Sequence, residues 1–192
     1  MKRLSVFFVV LFFGWGAISN TQAQFIQENA YQLPIIAGEV TFIQNDTATA
    51  LYADDFYPIA KAWVSQNYPE TKFTKDRQKD QKADDQLEVR IHFKIDDQHM
   101  QAPLYYQGTL HLKWKDQIIQ IKLDRLSYTA GQPKGKAAKN TGITDVSFQV
   151  KQQVRSGADK LYPHTWDSLN DYGQAMLHDF SAYIQSAAGD IL

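Results

Sequence analysis

The alternation of apolar and polar residues is clearest in "LEVRIHFKI", Leu87 to Ile95. Leu87, Val89, Ile91, Phe93 and Ile95 are apolar, and Glu88, Arg90, His92 and Lys94 are not. A period of two makes one face of a strand oily and the other charged. "LYYQGTLHLKWK" and "QIIQIKLDRLSY" continue the pattern and meet at Asp116-Gln117, which predicts a two-residue hairpin turn. That turn sets Lys115 opposite Ile118, Trp114 opposite Ile119, Leu112 opposite Ile121 and Leu110 opposite Leu123. In the preceding hairpin Ile95 faces Leu104, Phe93 faces Tyr106, Val89 faces Leu110 and Leu87 faces Leu112. A one-residue slip would send every apolar side chain to the wrong side. On the other face Glu88 lies beside His111 and Lys122, and Arg90 lies beside Thr109 and Asp124. The charges thus tend to alternate in sign from strand to strand, as a wet sheet face requires.

Upstream, "AGEVTFIQ" (37–44) reads as a first strand. In "DDFYPIAKAWVSQNYP" the residues Phe56, Ile59, Ala60, Trp63 and Asn67 share one stripe at helical spacing. Asp54 or Asp55 is placed to cap that helix, Pro58 to sit in or near its first turn, and Tyr68-Pro69 to end it. "TKFT" reads as a short strand and "ITDVSFQV" as another. The mixed-charge stretch 75–85 and the Gly/Lys stretch 129–142 read as flexible loops. Trp166, Leu169, Tyr172, Gly173, Met176, Leu177, Phe180, Tyr183, Ile184 and Ala187 line one side of a long C-terminal helix, with Thr165 as cap and Gly189 as stop. The order predicts an α+β fold: an antiparallel sheet with helices packed on one face. Trp63, Trp114 and Trp166 belong to its core.

The N-terminus adds an address. Lys2 and Arg3 precede an uncharged apolar run from Leu4 to Ile18, and Thr21 and Ala23 supply small residues for cleavage. This is the layout of a secretory signal peptide over residues 1–23. The run is shorter than the ~20 residues a membrane span needs. Residues 24–192 then form one domain, exported and periplasmic or secreted, with no transmembrane segment. The chain has no cysteine, so burial and hydrogen bonding carry its stability in place of disulfides. Cleavage reduces the 20 basic residues to 18 against 21 acidic ones. The resulting charge of about −3 disfavours nucleic acid as a partner.

The segments "LPIIAGEVTFIQ", "DDFYPIAKAWVSQNYP" and "KWKDQIIQIKLDRLSYTAG", followed by a helix opened by Trp166, resemble an exported bacterial family. It is domain-of-unknown-function family 4468, which has a TATA-binding-protein-like (TBP-like) fold. The resemblance runs through Gly38-Glu39-Val40, Phe56-Tyr57, Ala60-Lys61, Trp63, Lys115 to Ile118 and Trp166. The chain departs from the pattern in lacking a glycine at the hairpin turn and in its basic insertion, Lys134 to Lys139. The resemblance implies a fold and carries no catalytic residues. Nor does likeness to TBP imply DNA binding.

Candidate chemistry narrows to the charged sheet face. Arg90, His92, Lys94, His111, Lys113 and Lys122 give it a mild positive excess, suited to an acidic ligand, a glycan or an envelope protein, although a plain solvated surface would look the same and charge runs of this kind favour it. No cofactor motif is present. His92 and His111 fall about 13 Å apart at ~3.3 Å per residue, too far to share a zinc ion. Asp96, Asp97 and His99 cluster tightly, but in a loop where such residues are commonplace. "GQPKGK" is one residue short of a phosphate loop and has Ala137 in place of its hydroxyl residue. The expected function is a non-enzymatic binding or assembly module of the cell envelope, with self-association through the C-terminal helix as one partner mode. Two alternatives remain open. One is an enzyme working through loops 96–103 and 129–142. The other is a cystatin-like inhibitor, although its Q-x-V-x-G loop is not found.

Overall fold

The computed structural model describes residues 31–48, 51–73, 86–96, 103–130, 142–161 and 164–189. The expected signal peptide (1–23), the stretch 75–85, most of 129–142, and Asp97 and His99 lie outside them.

The chain opens with a small hairpin, β1 (Ile35–Ile36) and β2 (Glu39–Val40), and continues into β3 (Phe42–Thr47). The single strand expected over 37–44 is therefore divided. Ala37 and Gly38 take φ of 52° and 82° and form a tight turn, so Ile35 pairs with Val40. Helix α1 (Ala53–Asn67) follows. Its N-cap is Tyr52, with no side-chain hydrogen bond, so neither Asp54 nor Asp55 caps it. Both instead sit in the first turn, where a carboxylate favours the positive end of the helix dipole. Pro58 lies inside the helix rather than in its first turn. Thr71 to Phe73 are not a strand: Thr71 N donates to Tyr68 O at 2.9 Å, and the segment turns off the helix end.

The meander β4 (Gln86–Ile95), β5 (Leu104–Lys115) and β6 (Ile118–Ala130) carries every expected pair, including Leu87 opposite Leu112 and Trp114 opposite Ile119. Asp116 and Gln117 have φ of 52° and 64°, the geometry of a two-residue hairpin turn. The sheet order is β3-β6-β5-β4, and β7 (Thr144–Asp145) pairs with the far end of β6.

Beyond β7 the chain departs from expectation. "VSFQVKQQVRS" is a helix, α2 (Val146–Ser156), not a strand. Its β-branched residues suggest extension, but the Asp145 carboxylate accepts from Phe148 N at 2.7 Å and caps a helix start. Gly157, at φ 74°, ends it, and the short α3 (Ala158–Leu161) leads on. Helix α4 (Asp167–Gly189) starts after Trp166, so Thr165 is not the residue before it.

Helices α1 and α4 pack on the aliphatic face of the sheet and on each other. The apolar stripe of α4 is consumed there: Leu169, Gly173, Met176, Leu177, Phe180 and Ile184 are buried. A chain of rings ties the layers together. Trp63 meets Phe180 at 4.9 Å and Tyr68 at 5.7 Å. The Tyr68 and Tyr172 hydroxyls lie 3.1 Å apart. Tyr172 stacks on Phe93 at 4.4 Å and Phe93 on Tyr106 at 5.4 Å, from which Tyr128 leads to Trp166. Both indoles find partners: Trp63 Nε1 donates to Asp179 at 3.0 Å and Trp166 Nε1 to Gln153 at 2.8 Å. Trp114 is half-buried and packs against the same core. Among the described residues no helix is long and apolar enough to cross a membrane.

Candidate binding recess on the charged face

The six basic residues expected on the outer face are all there, but they do not act together. Lys94 is tied to Asp96 at 2.7 Å. His111 and Lys122 are drawn to one carboxylate: His111 Nε2 lies 2.9 Å from Asp124 Oδ1, and Lys122 Nζ lies 2.6 Å from Oδ2. Glu88 stands 3.6 Å from the other ring nitrogen of His111. Asp124 is therefore not on a wet surface. Its side chain is 6% exposed, covered by the partners it binds. Burial alone would raise its pKa, but the hydrogen bonds from Lys122 and His111 outweigh this and hold the carboxyl below its usual range. Thr109 and Thr129 are buried on the same side. Arg90, His92 and Lys113 remain exposed.

The face is not flat. Gln107 pairs with Ser127 but Thr109 pairs with Asp124, so Gly108 is opposed by two residues, Arg125 and Leu126. This is a β-bulge, with the extra residue on β6. A Cβ at Gly108 would lie 2.9 Å from methyl carbons of Leu123 and Leu126, so the close approach requires glycine. Arg125 takes φ of 52°. A left-handed conformation costs a side-chain-bearing residue roughly 1–2 kcal/mol, and glycine is the ordinary occupant. Its side chain is 65% exposed, with the guanidinium 3.7 Å from Glu88.

Over the bulge opens a recess of about 210 Å³, lined by Arg90, Gln107, Thr109, Arg125, Ser127 and, from β2, β7 and α2, Glu39, Asp145 and Ser147. Sheet and helix meet here because Ser147 Oγ accepts from Val40 N at 2.9 Å. Gln107 Nε2 donates to Ser127 Oγ at 2.9 Å. Both serine hydroxyls therefore accept one bond and still hold a proton to donate. Two guanidiniums, two carboxylates and several hydroxyls share one concavity. Of the six residues expected from the sequence, only Arg90 lines it.

The others were missed for a reason that can be read back. Along β6 the apolar beat runs Ile119, Ile121, Leu123 and then skips to Leu126, with Asp124 and Arg125 adjacent and both polar. Two consecutive polar residues in an alternating strand are the signature of a bulge. Glu39, Asp145 and Ser147 reach the recess only through the turn at Ala37-Gly38 and the helix α2. Among the described residues no group of three His, Asp or Glu side chains converges as a metal site.

No protein-family model and no curated protein matches the chain. Among solved structures, a DUF4468 family protein from Bacteroides ovatus is 12% identical, with a TM-score of 0.56 over 79% of this chain and 90% of that one. A TBP-like protein from Parabacteroides distasonis is 11% identical, with a TM-score of 0.58 over 80% of this chain and 97% of that one. At such identities the likeness is one of fold and not of function. The chain has the TBP-like fold of a DUF4468 family protein, the fold its sequence resemblance implies.

Proposed function

We propose that the protein is an exported, non-enzymatic binding module of the cell envelope, and that it holds a small polar ligand in the recess over the Gly108 bulge. The reading of export rests on the N-terminal pattern from Lys2 to Ala23. The observation that carries the binding role is the meeting of Arg90 and Arg125 with uncommitted hydroxyls in one concavity of about 210 Å³. Polar groups converging in a concave site are what a ligand-specific pocket needs.

An enzymatic reading would look first to His111, beside a buried carboxylate. Its geometry speaks against a general base. Nε2 is held by Asp124, Glu88 crowds the approach to Nδ1 at 3.6 Å, and His111 does not line the recess.

The test is thermal stabilisation of the purified protein by a panel of amino acids, sugars, sugar acids and phosphate, repeated on Arg90→Ala. A compound that raises the melting temperature of the wild type and not of the variant supports the reading. Equal stabilisation of both proteins, or conversion of the compound during incubation, overturns it.

A further inference from the structure

The composition of the recess identifies the ligand more closely, on the basis of the binding role proposed above. Two guanidiniums in one pocket are suited to a carboxylate or phosphate oxyanion, since each can donate two parallel hydrogen bonds to it. The wall from β2 and β7 has the opposite character. Glu39 and Asp145 only accept hydrogen bonds when ionised, and Asp145 uses one oxygen on Phe148 N. A bare oxyanion would leave these two carboxylates facing negative charge. A ligand that is an anion at one end and a donor of hydroxyl protons at the other satisfies both walls. Gln107, Thr109, Ser127 and Ser147 add groups that exchange hydrogen bonds with hydroxyls. The volume of about 210 Å³ lies below the roughly 300–1,000 Å³ of pockets for drug-sized ligands, which suits a ligand of one ring.

Arg125 gives the second, independent observation. It holds a left-handed conformation at a bulge where glycine would be unstrained. Its ion pair with Glu88 is a 3.7 Å contact on a side chain 65% exposed, which contributes little to stability. Strain kept without a stabilising return points to use of the side chain. We therefore propose that the recess binds one acidic sugar residue, its carboxylate between Arg90 and Arg125 and its hydroxyls on Glu39, Asp145 and Ser147.

The experiment is a heteronuclear NMR titration of the isotope-labelled protein with sodium glucuronate, methyl glucuronide, glucose, acetate, glutamate and inorganic phosphate. Saturable shifts at the amides of Gly108, Thr109, Ser127 and Ser147 are expected with the two acidic sugars and not with the others. Arg125→Gly should lose at least tenfold in affinity while its denaturation midpoint stays level or rises. A wild-type affinity in that variant overturns the proposal, as does a fall in its midpoint equal to that of a core substitution. Tighter binding of the methyl glycoside than of the free acid assigns the ligand to a polysaccharide residue, and the reverse assigns it to a free sugar acid. Equal or stronger shifts at the same amides with acetate, phosphate or glutamate overturn the acidic sugar but leave the recess a binding site. Silence at those amides with every probe removes both readings.

Discussion

Gly173 sits in the middle of α4, where glycine is the poorest ordinary helix former. Replacing it with alanine should stabilise an exposed helix by about 1 kcal/mol. Here the opposite is expected. A Cβ built at Gly173 lies 2.5 to 2.6 Å from three carbons of the Phe42 ring, whereas carbons at rest stand ~3.5–4.0 Å apart. The ring cannot swing aside, because Phe42 is fully buried on β3 and its strand is held to β6 opposite Leu123. The helix must move outward by about 1 Å, and overpacking of this kind costs roughly 1–3 kcal/mol. Setting that against the propensity gain leaves Gly173→Ala destabilised by up to about 2 kcal/mol. In urea, with a slope of roughly 2 kcal/mol/M, the midpoint should fall by up to about 1 M at unchanged slope. Phe42→Leu in the same background should recover part of the loss, so the double variant is more stable than the sum of the singles. A raised midpoint for Gly173→Ala alone would show that α4 does not lie on β3 as described.

Three further outcomes follow from the same coordinates. Trp63→Ala should cost roughly 3–5 kcal/mol, since Trp63 is 1% exposed and wedged between Phe180 and Tyr68; a loss below about 1 kcal/mol in urea unfolding would place the indole outside the core. Asp124 has a folded pKa below its unfolded value, so its contribution is complete above ~pH 4 and fades as the pH falls through the lowered value. Asp124→Asn should therefore be less stable at neutral pH and lose less stability than the wild type between ~pH 4 and ~pH 2; parallel acid curves would refute the buried ion cluster. Tyr68 is driven upward by burial and then by Tyr172, and Tyr172 by burial. Their contribution is intact below the ordinary tyrosine value of ~10 and is lost as the pH rises beyond it. Phenolate absorbance from these two rings should accordingly appear only with alkaline unfolding, and their titration in the folded state would contradict the stacked cluster.

Much of the frame was legible because it rests on local periodicity. The register of β4, β5 and β6 follows from alternation plus a two-residue turn, and each inward pair from Leu87–Leu112 to Trp114–Ile119 is found. The packing of α4 followed from the spacing between Leu169 and Ile184. Helix α2 did not, because Ile143, Thr144, Val146 and Val150 carry strand propensity, while a single carboxylate at Asp145 decides the geometry. Propensity sums over a window, and a cap acts at one residue. The recess was less legible still. It is assembled from β2, β4, β5, β6, β7 and α2, and its shape depends on a one-residue irregularity that alternation treats as noise.

The charged face also shows how pairing changes what a surface can bind. Counted along the strands it carries a positive excess. In three dimensions Lys94, His111 and Lys122 each lie beside a carboxylate, and a cation already paired gives little further energy to an incoming anion. An extended polyanion, which binds by neutralisation at many points, would find much of this face already compensated. A ligand of one ring needs only one well-built point. The bulge supplies it by breaking the sheet where Arg90 and Arg125 can converge, with Glu39, Asp145 and Ser147 brought in from outside the meander. The regular part of the sheet thus builds the core, and its single defect on β6 builds the site.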